Sequence, residues 1–457
     1  MTTGAQVLRT TPDDDLFVRM DRALGVPVIN QIVWRLRTAP SAEELDRLAA
    51  ALRRGALDRL LRRSRVPLAR DRWTPAGGRS GRHLADPLPV PDDGLAAWMD
   101  AAASTRFDLT DGPVWELRSA VRAEVGGVVS LCSAHAVGDG AQVVGAVEAA
   151  LRSIRDDIAP TSYLSDHRPS PIEDLRDGVG QAAVIGRGLA ALATDTLRER
   201  RTASGPDVPA AVTARTSRVV PPDPATTDSA TGRPAPMCVM SLPTVEWNAA
   251  ATKAGGTGNA LFMAMVVGIL VAAGRATWTD TVRISIPMST RSTDDPRANA
   301  SVGLALDLPA SAVRQHDLAT VRRLAKEVFT RGTDAPSSFV RLQPLMQALG
   351  DRTVLALNRH ATTPLALASN LGSLGPQFSG LGDPARADAV VTRSTTQSVD
   401  VQRLRDLRGG VAAWIDDAGA TTTVSVIGLD PDALGRDILP GMVRDEFARW
   451  SLRPQQW

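Results

Sequence analysis

The feature that most limits how this chain can fold is a break near its middle. Residues 202–236 are rich in Pro, Thr, Ser and Asp. Within them the run from Val219 to Asp228, ValValProProAspProAlaThrThrAsp, fits neither a helix nor a central strand, because proline lacks the backbone donor that both need. On each side lies a half of similar size that mixes strand-like and helix-like segments. The expectation is an inter-domain connection at 202–236, between an N-terminal unit of residues 1–201 and a C-terminal unit of residues 237–457. The expected fold class is α/β (α+β), built as a pseudo-duplicated chain. A length of 457 residues is ample for two cores.

In the first half, Pro27–Leu36 reads as a strand. Ser41 with Glu44 three residues on has the spacing of a capping box, and Leu45, Leu48, Leu52 and Leu57 follow at roughly helical spacing. Residues 74–94, rich in Gly, Pro and Asp, read as loop. Next come a helix over Leu95–Thr105, strands over Val114–Ala120 and Val128–Ala134, and an amphipathic helix over Ala141–Ile154. That helix carries Val143, Val147, Leu151 and Ile154 as a buried stripe. Helical sequence continues to about Arg201. In the second half, strands are expected over Met237–Leu242, Thr281–Pro287, Val302–Leu308, Leu365–Asn370, Ala389–Arg393, Gly410–Asp416 and Thr421–Leu429. Helices are expected over Val245–Ala254, from Asn259 onward, over Leu318–Arg331 and from about Pro431 to Trp450.

Composition removes several function classes. With 52 basic and 50 acidic residues the formal charge is +2, so no global field draws the chain to nucleic acid or to an acidic membrane. Only Lys253 and Lys326 are lysine. The arginine excess, beside abundant Ala, Gly and Pro, reads first as genomic base composition rather than as a set of bidentate anion sites. Cys132 and Cys238 cannot make a disulfide framework or a four-cysteine zinc site. The N-terminus carries Asp13-Asp14-Asp15 and lacks the apolar core of a signal peptide. The longest apolar stretch, Ala260–Ala273, falls short of the ~20 residues of a bilayer span and reads as a helix buried on all sides. These features describe a soluble, cytoplasmic protein with no nucleic-acid partner and no integral membrane segment.

Five histidines are present, and one sits in a meaningful context: SerAlaHisAlaValGlyAspGly, Ser133–Gly140. His135 ends an apolar strand, and Asp139-Gly140 closes a short turn before a helix. Period-two alternation puts Val129, Leu131, Ser133 and His135 on one face, with Cys132 a step off it as a buried cysteine. Local chemistry leaves two readings open. His135 is either a satisfied core histidine or a base, and Asp139 is either a helix N-cap, which local chemistry favours, or an active-site carboxylate. His83, in a Gly/Arg-rich loop, and His167, His316 and His360, in polar contexts, read as surface residues. The nine tryptophans read as packing. No GlyXxxSerXxxGly elbow marks a serine hydrolase. Gly256–Leu261 lacks the third glycine of a dinucleotide fingerprint. His135 and Asp139 have no third metal ligand nearby, so no metal is expected.

HisXxxXxxXxxAspGly after a strand, preceded by PheAspLeuThrAspGlyProValTrpGluLeu at 107–117, resembles the thioester-dependent acyltransferase superfamily. That group includes chloramphenicol acetyltransferase, the condensation domains of nonribosomal peptide synthesis and the wax ester synthase/diacylglycerol acyltransferases. Pro113-Val114-Trp115 resembles the last family's ProLeuTrp motif. Thr257-Gly258-Asn259-Ala260 resembles its Asn-Asp motif with the Asp replaced. IleProMetSerThrArg, ending at Arg291, resembles the strand-end segment of the second half. Ser369-Asn370-Leu371-Gly372 resembles the SerAsn motif of a strand crossing between halves.

The resemblance implies two chloramphenicol acetyltransferase-like subdomains, forming a pseudo-dimer with a tunnel between them. Donor would enter the tunnel from one face and acceptor from the other. It implies His135 as the general base, supported by Asp139, Gly140 and Arg291, with Asp139 pairing with Arg291. Ser133, Trp115, Asn259, Ser369 and Asn370 are candidates for the substrate channel. It implies no permanently bound cofactor: acyl-CoA or an acyl-carrier protein would be the co-substrate, and a small molecule with a hydroxyl or amine the acceptor. The family usually carries two adjacent histidines, and Ala134 stands in place of the first. Ala134 and Ala260 keep open a second class of function, a non-catalytic member that uses the inter-domain cleft for binding or docking.

Overall fold

The structure is a computed structural model. It describes residues 7–159, 164, 167–202, 235–292, 295–332, 345, 347–351, 353 and 364–457. Nearly all of the expected connection at 202–236, and His360, lie outside the described residues.

The strands of the first half are β1 (Val28–Leu36), β2 (Arg59–Arg62), β3 (Arg72–Pro75), β4 (Gly81–Ala85), β5 (Trp115–Val121) and β6 (Gly127–Ala134). Those of the second are β7 (Met237–Pro243), β8 (Thr281–Ser289), β9 (Ser301–Pro309), β10 (Ala366–Ser373), β11 (Ala387–Thr396), β12 (Val411–Asp417), β13 (Thr421–Gly428) and β14 (Gln455–Gln456). They form a five-stranded sheet of order β11-β1-β6-β5-β4, a seven-stranded sheet of order β14-β7-β13-β12-β10-β8-β9, and a β2-β3 ribbon. The fold is therefore mixed α/β with two sheet-containing lobes, consistent with a bilobal chloramphenicol acetyltransferase-like architecture.

Each sheet is covered by helices that the sequence patterns specify. The Ala42–Leu52 helix opens on the Ser41/Glu44 capping box, both halves of which form. It packs Leu45, Leu48 and Leu52 with Val143 and Val147 of the Gly140–Asp156 helix against Trp34, Leu117 and Leu131 of the first sheet. In the second lobe the Gly258–Ala272 helix buries every residue from Ala260 to Leu270. A helix apolar all round needs neighbours all round, and here the sheet and the Leu318–Arg331 and Leu439–Arg449 helices contribute side chains to one core around it. Among the described residues no single helix is long and apolar enough to cross a membrane; this one qualifies only jointly with Thr244–Lys253, at an 81° bend.

Three expectations are corrected. Residues 74–94 are not all loop: β4 pairs in parallel with β5, and Arg82, Leu84 and Ala85 are exposed. An edge strand with exposed residues needs no apolar alternation, so the pattern is silent there. Its first residue must be glycine because the Trp115 ring lies on it; a Cβ would sit 2.0 Å from Trp115 Cδ2. The last helix begins at Leu439 rather than near Pro431. The Asp430 carboxylate accepts from Asp432 N (3.0 Å) and Ala433 N (3.1 Å), and that local turn competes with helix. The strand that crosses between halves is β11, not the strand of Ser369 and Asn370. β11 belongs to the second half in sequence but runs antiparallel to β1 in the first sheet, whereas β10 sits between β12 and β8.

The crossing strand also makes the seam between lobes. Thr392 of β11 donates through N and Oγ1 to the two carboxylate oxygens of Asp416 on β12, both at 2.7 Å. Ser425 Oγ of β13 donates to Thr392 O at 2.8 Å. Burial pushes the Asp416 carboxyl up to about 7, with the Thr392 and Thr423 hydrogen bonds opposing it. A carboxyl raised in the fold binds more protons there than in the unfolded chain. Asp416 therefore contributes stability at low pH that is lost as pH rises from about 4 towards about 7. Asp416→Asn keeps the shape and removes the charge, and the Thr392 hydroxyl can reverse its role. Thermal melts across that window should show a smaller fall in melting temperature for the variant than for the wild type; equal slopes would refute the assignment.

Candidate functional site

A cavity of about 490 Å³ lies between the two sheets, within the range of small-molecule sites. Its walls come from the Pro12–Arg22 helix, β1 and β11 on one side and from β10, β12 and β13 on the other. They are mostly apolar: Phe17, Met20, Ile32, Leu367, Leu371 and Trp414 are examples. His135, Asp139, Gly140, Ser369 and Asn370 all reach this wall. The structure thus brings together five of the sequence-selected residues. Arg291, Ser133, Trp115 and Asn259 do not line it.

His135 opens a short 3₁₀ turn, His135–Val137, where β6 ends. The alternation that puts it on the Ser133 face stops at Ala134, so Ser133 stays beneath it as a fully buried residue of a central strand. The Phe17 ring stacks on the imidazole, centroids 3.7 Å apart and 18° from parallel. His135 Nδ1 lies 3.1 Å from Asn299 Oδ1. The amide's orientation follows from its other end: Asn299 Nδ2 is 2.9 Å from Asp14 Oδ1 and 3.2 Å from the Ala136 carbonyl, both acceptors. An amide oxygen only accepts, so Nδ1 carries the hydrogen and Nε2 keeps its lone pair. Burial pulls the imidazole below its ordinary value of 6.5, with the Asp139 charge and the Asn299 bond opposing.

Asp14 anchors this chain of contacts. It is fully buried and accepts from Asn299 N (2.9 Å), Thr11 N (2.9 Å) and Trp73 Nε1 (3.1 Å) besides the Asn299 amide. Burial raises its carboxyl above the ordinary carboxylate value, against those donors and the nearby Arg59. Arg59 is itself buried and pushed down to about 10 by loss of solvent. Neither Asn299 nor Asp14 stands out in the sequence as a site residue. Asp14 had a legible signal, since Thr11-Pro12-Asp13-Asp14 is a cap, a proline at the first turn and a capping-box partner. Asn299, in ArgAlaAsnAlaSer, had none.

Asp139 caps the Gly140–Asp156 helix, accepting from Gln142 N at 2.8 Å. Its carboxylate also meets Arg291 Nη2 at 3.1 and 3.0 Å and Ala300 N at 2.7 Å. Of the two local readings the geometry shows the cap, and the same carboxylate joins the lobes through Arg291. Arg291 also donates from Nη1 to the carbonyls of Asp295 and Arg297 and from Nη2 to that of Ala298, which holds the loop that delivers Asn299; its Nε is buried without a partner. Gly140 lets that helix approach β10; a Cβ there would be 3.0 Å from Leu371 Cδ2. Asn370 Nδ2 donates to Asn259 Oδ1 at 3.0 Å, so Asn259 fixes a wall residue without reaching the cavity. Trp115 is packed in the first core, its Nε1 buried without a partner. Ala134 is packed there too.

The other reactive side chains have local roles. Burial pushes the Cys132 thiol up to about 11, which keeps it inert. His83 is not at the surface. Because residues 81–85 form a strand, its side chain is only 6% exposed, with Nδ1 2.8 Å from Asp46 Oδ1 and Nε2 3.0 Å from Ser119 Oγ. His167 and His316 are exposed. Among the described residues no group of three or more His, Cys, Asp or Glu could hold a metal ion.

The fold is shared with enzymes that transfer or condense acyl groups. The chain aligns over 97% of its length, and 100% of the other, with the wax ester synthase/diacylglycerol acyltransferase from Marinobacter aquaeolei VT8, at 14% identity and a TM-score of 0.53. It aligns with the first condensation domain of the calcium-dependent antibiotic synthetase over 97% and 96%, at 13% identity and a TM-score of 0.56. With the condensation domain of the monacolin K polyketide synthase MokA the figures are 97%, 96%, 13% and 0.53. No protein-family model matches the chain, and no curated protein matches it in sequence. The likeness is full-length and of low identity, and it is a likeness of fold.

Breaking the Asp139–Arg291 pair strands a buried carboxylate. Arg291→Ala should cost about 3 kcal/mol of stability, read as a lower melting temperature. A variant as stable as the wild type would show that the remaining donors suffice for Asp139.

Proposed function

We propose that this chain is an acyltransferase. It moves an acyl group from a thioester donor, acyl-CoA or an acyl-carrier protein, to the hydroxyl or amine of a small-molecule acceptor. The observation that carries the reading is the Asp14–Asn299–His135 chain at the wall of an apolar cavity between two lobes. It presents a neutral imidazole with a defined tautomer. The likeness to a wax ester synthase/diacylglycerol acyltransferase and to condensation domains supports it.

In this reading the acceptor X–H lies against His135 Nε2. The nitrogen takes the proton as X attacks the thioester carbonyl, and the carbonyl electrons move to oxygen. When that oxyanion collapses the C–S bond breaks, and the imidazolium returns the proton to the departing thiolate. Ester or amide forms, free thiol leaves, and His135 is neutral again, with no covalent acyl-enzyme. Asp139 and Arg291 position the turn and the Asn299 loop. The cavity serves as a tunnel, reached by donor and acceptor from opposite faces, with 202–236 joining units 1–201 and 237–457 of a cytoplasmic protein. The thioester is a co-substrate, so the proposal needs no resident cofactor. A second reading, a non-catalytic member that binds or docks through the cleft, is favoured by Ala134, core-packed where the family carries its first histidine.

Thiol release from acyl-CoA in the presence of an acceptor separates the two readings. His135→Ala should lose at least about two orders of magnitude in turnover while its melting temperature stays within a few degrees. Because burial lowers the His135 value, the wild-type rate should hold as pH falls to 6.5 and drop only below it. An unimpaired rate in a folded His135→Ala protein would sink the mechanism.

The Asn299 contact has its own signature. Losing one hydrogen bond to the ring is worth about 1.4 kcal/mol, or tenfold in rate. Asn299→Leu should therefore slow turnover about tenfold. Since that bond raises the His135 value, its removal should also move the acid limb to still lower pH. A limb that stays put would mean that Asn299 does not set the state of the ring.

A further inference from the structure

Positive and negative residues nearly cancel over the whole chain. They do not in a cleft of about 810 Å³ on the first lobe, which shares no residue with the His135 cavity. Arg62, Arg63, Arg65, Arg72, Arg79 and Arg168 wall this cleft, and the one carboxylate on it is Asp174. Asp174 is already ion-paired with Arg9, and Arg63 meets Asp71 only at 4.0 Å. Arg62 and Arg79 donate to the neutral carbonyls of Thr110 (2.7 Å) and Ala76 (3.2 Å). Among the described residues, no carboxylate lies within 4.0 Å of the Arg65, Arg72, Arg79 or Arg168 guanidinium groups.

The floor of the cleft is regular structure. In the β2-β3 ribbon Arg62 stands directly opposite Arg72, a like-charge cross-strand pair that opposes folding unless something neutralises it. Leu61 and Trp73, one step along, belong to the first core, and Trp73 donates to Asp14. The ribbon is thus pinned from beneath while it holds two guanidinium groups side by side. Arg72 Nε is buried without a partner. Burial pulls the Arg72 guanidinium below its ordinary value; Asp174 opposes this, and Arg9, Arg168 and Arg62 add to it.

We propose that this cleft binds a small, phosphate-dense anion carrying at least two phosphate groups. Guanidinium forks match phosphate oxygens in pairs, and clustered like charges in excess of their counter-charges favour a multiply charged anion over a single carboxylate. The same chemistry is offered by a nucleotide with clustered phosphates and by free polyphosphate.

Calorimetric titration of the full chain at low ionic strength tests this, with inorganic pyrophosphate and adenosine 3′,5′-bisphosphate as probes. At least one probe should bind, and the tighter one identifies the source of the phosphates. Arg72→Gln should weaken binding at least about tenfold, the loss of one charge-assisted hydrogen bond. The double variant Arg65→Gln/Arg168→Gln, at two exposed positions, should do the same and guards against misfolding at Arg72. Arg314→Gln/Arg331→Gln, remote from the cleft, should leave affinity unchanged. Failure of both probes to bind overturns the proposal, as does equal weakening by the remote pair or unchanged affinity in both cleft variants. None of these outcomes bears on acyl transfer, because binding is read without turnover.

Discussion

The arrangement of the site depends on one carboxylate. Asp139 caps a first-lobe helix, grips Arg291 of the second lobe and accepts from the Ala300 backbone. Each contact alone is ordinary. Together they tie the turn after His135 to the loop after β8, and that loop carries Asn299. A buried ion pair is weak evidence for net stability but strong evidence for a fixed geometry, since leaving either partner alone is costly. Here the geometry it fixes is that of the imidazole.

His135 is shaped by its surroundings more than by any single partner. Phe17 stacks on the ring, loss of solvent favours its neutral form, and Asn299 decides which nitrogen holds the hydrogen. Asp14 does not touch the histidine. It holds the amide that does, and four donors surround it in a place where an unpaired carboxylate would be costly. Such a chain of contacts orders the imidazole through a neutral amide rather than through direct contact with the Asp14 carboxylate.

The cavity exists because the two sheets meet along β11. That strand gives the first sheet its edge and bonds to the second lobe through Thr392, which donates to Asp416 and accepts from Ser425. The seam closes the lobes on one side, and the apolar walls beside it remain as space.

Much of the local structure was legible because it is written in short-range chemistry. The Ser41/Glu44 box, the apolar run at 260–270 and the strand–turn–helix around His135 each depend on residues a few positions apart. The pairing of Asp139 with Arg291 was readable only through a family resemblance, as the two are far apart in sequence. Asn299 and the role of Asp14 were not readable at all: an amide in a loop acquires meaning only when folding lays it between a carboxylate and an imidazole. The same holds for β4, an edge strand with no apolar pattern, and for Trp115, whose place under Gly81 is a matter of packing. The sequence by itself determined most of the helices and the central strands, because hydrophobic period and capping are local. Only the tertiary structure decided that β11 joins the other lobe's sheet and that Asp14 reaches the His135 imidazole through Asn299. Those contacts join positions hundreds of residues apart, and no local free energy encodes them.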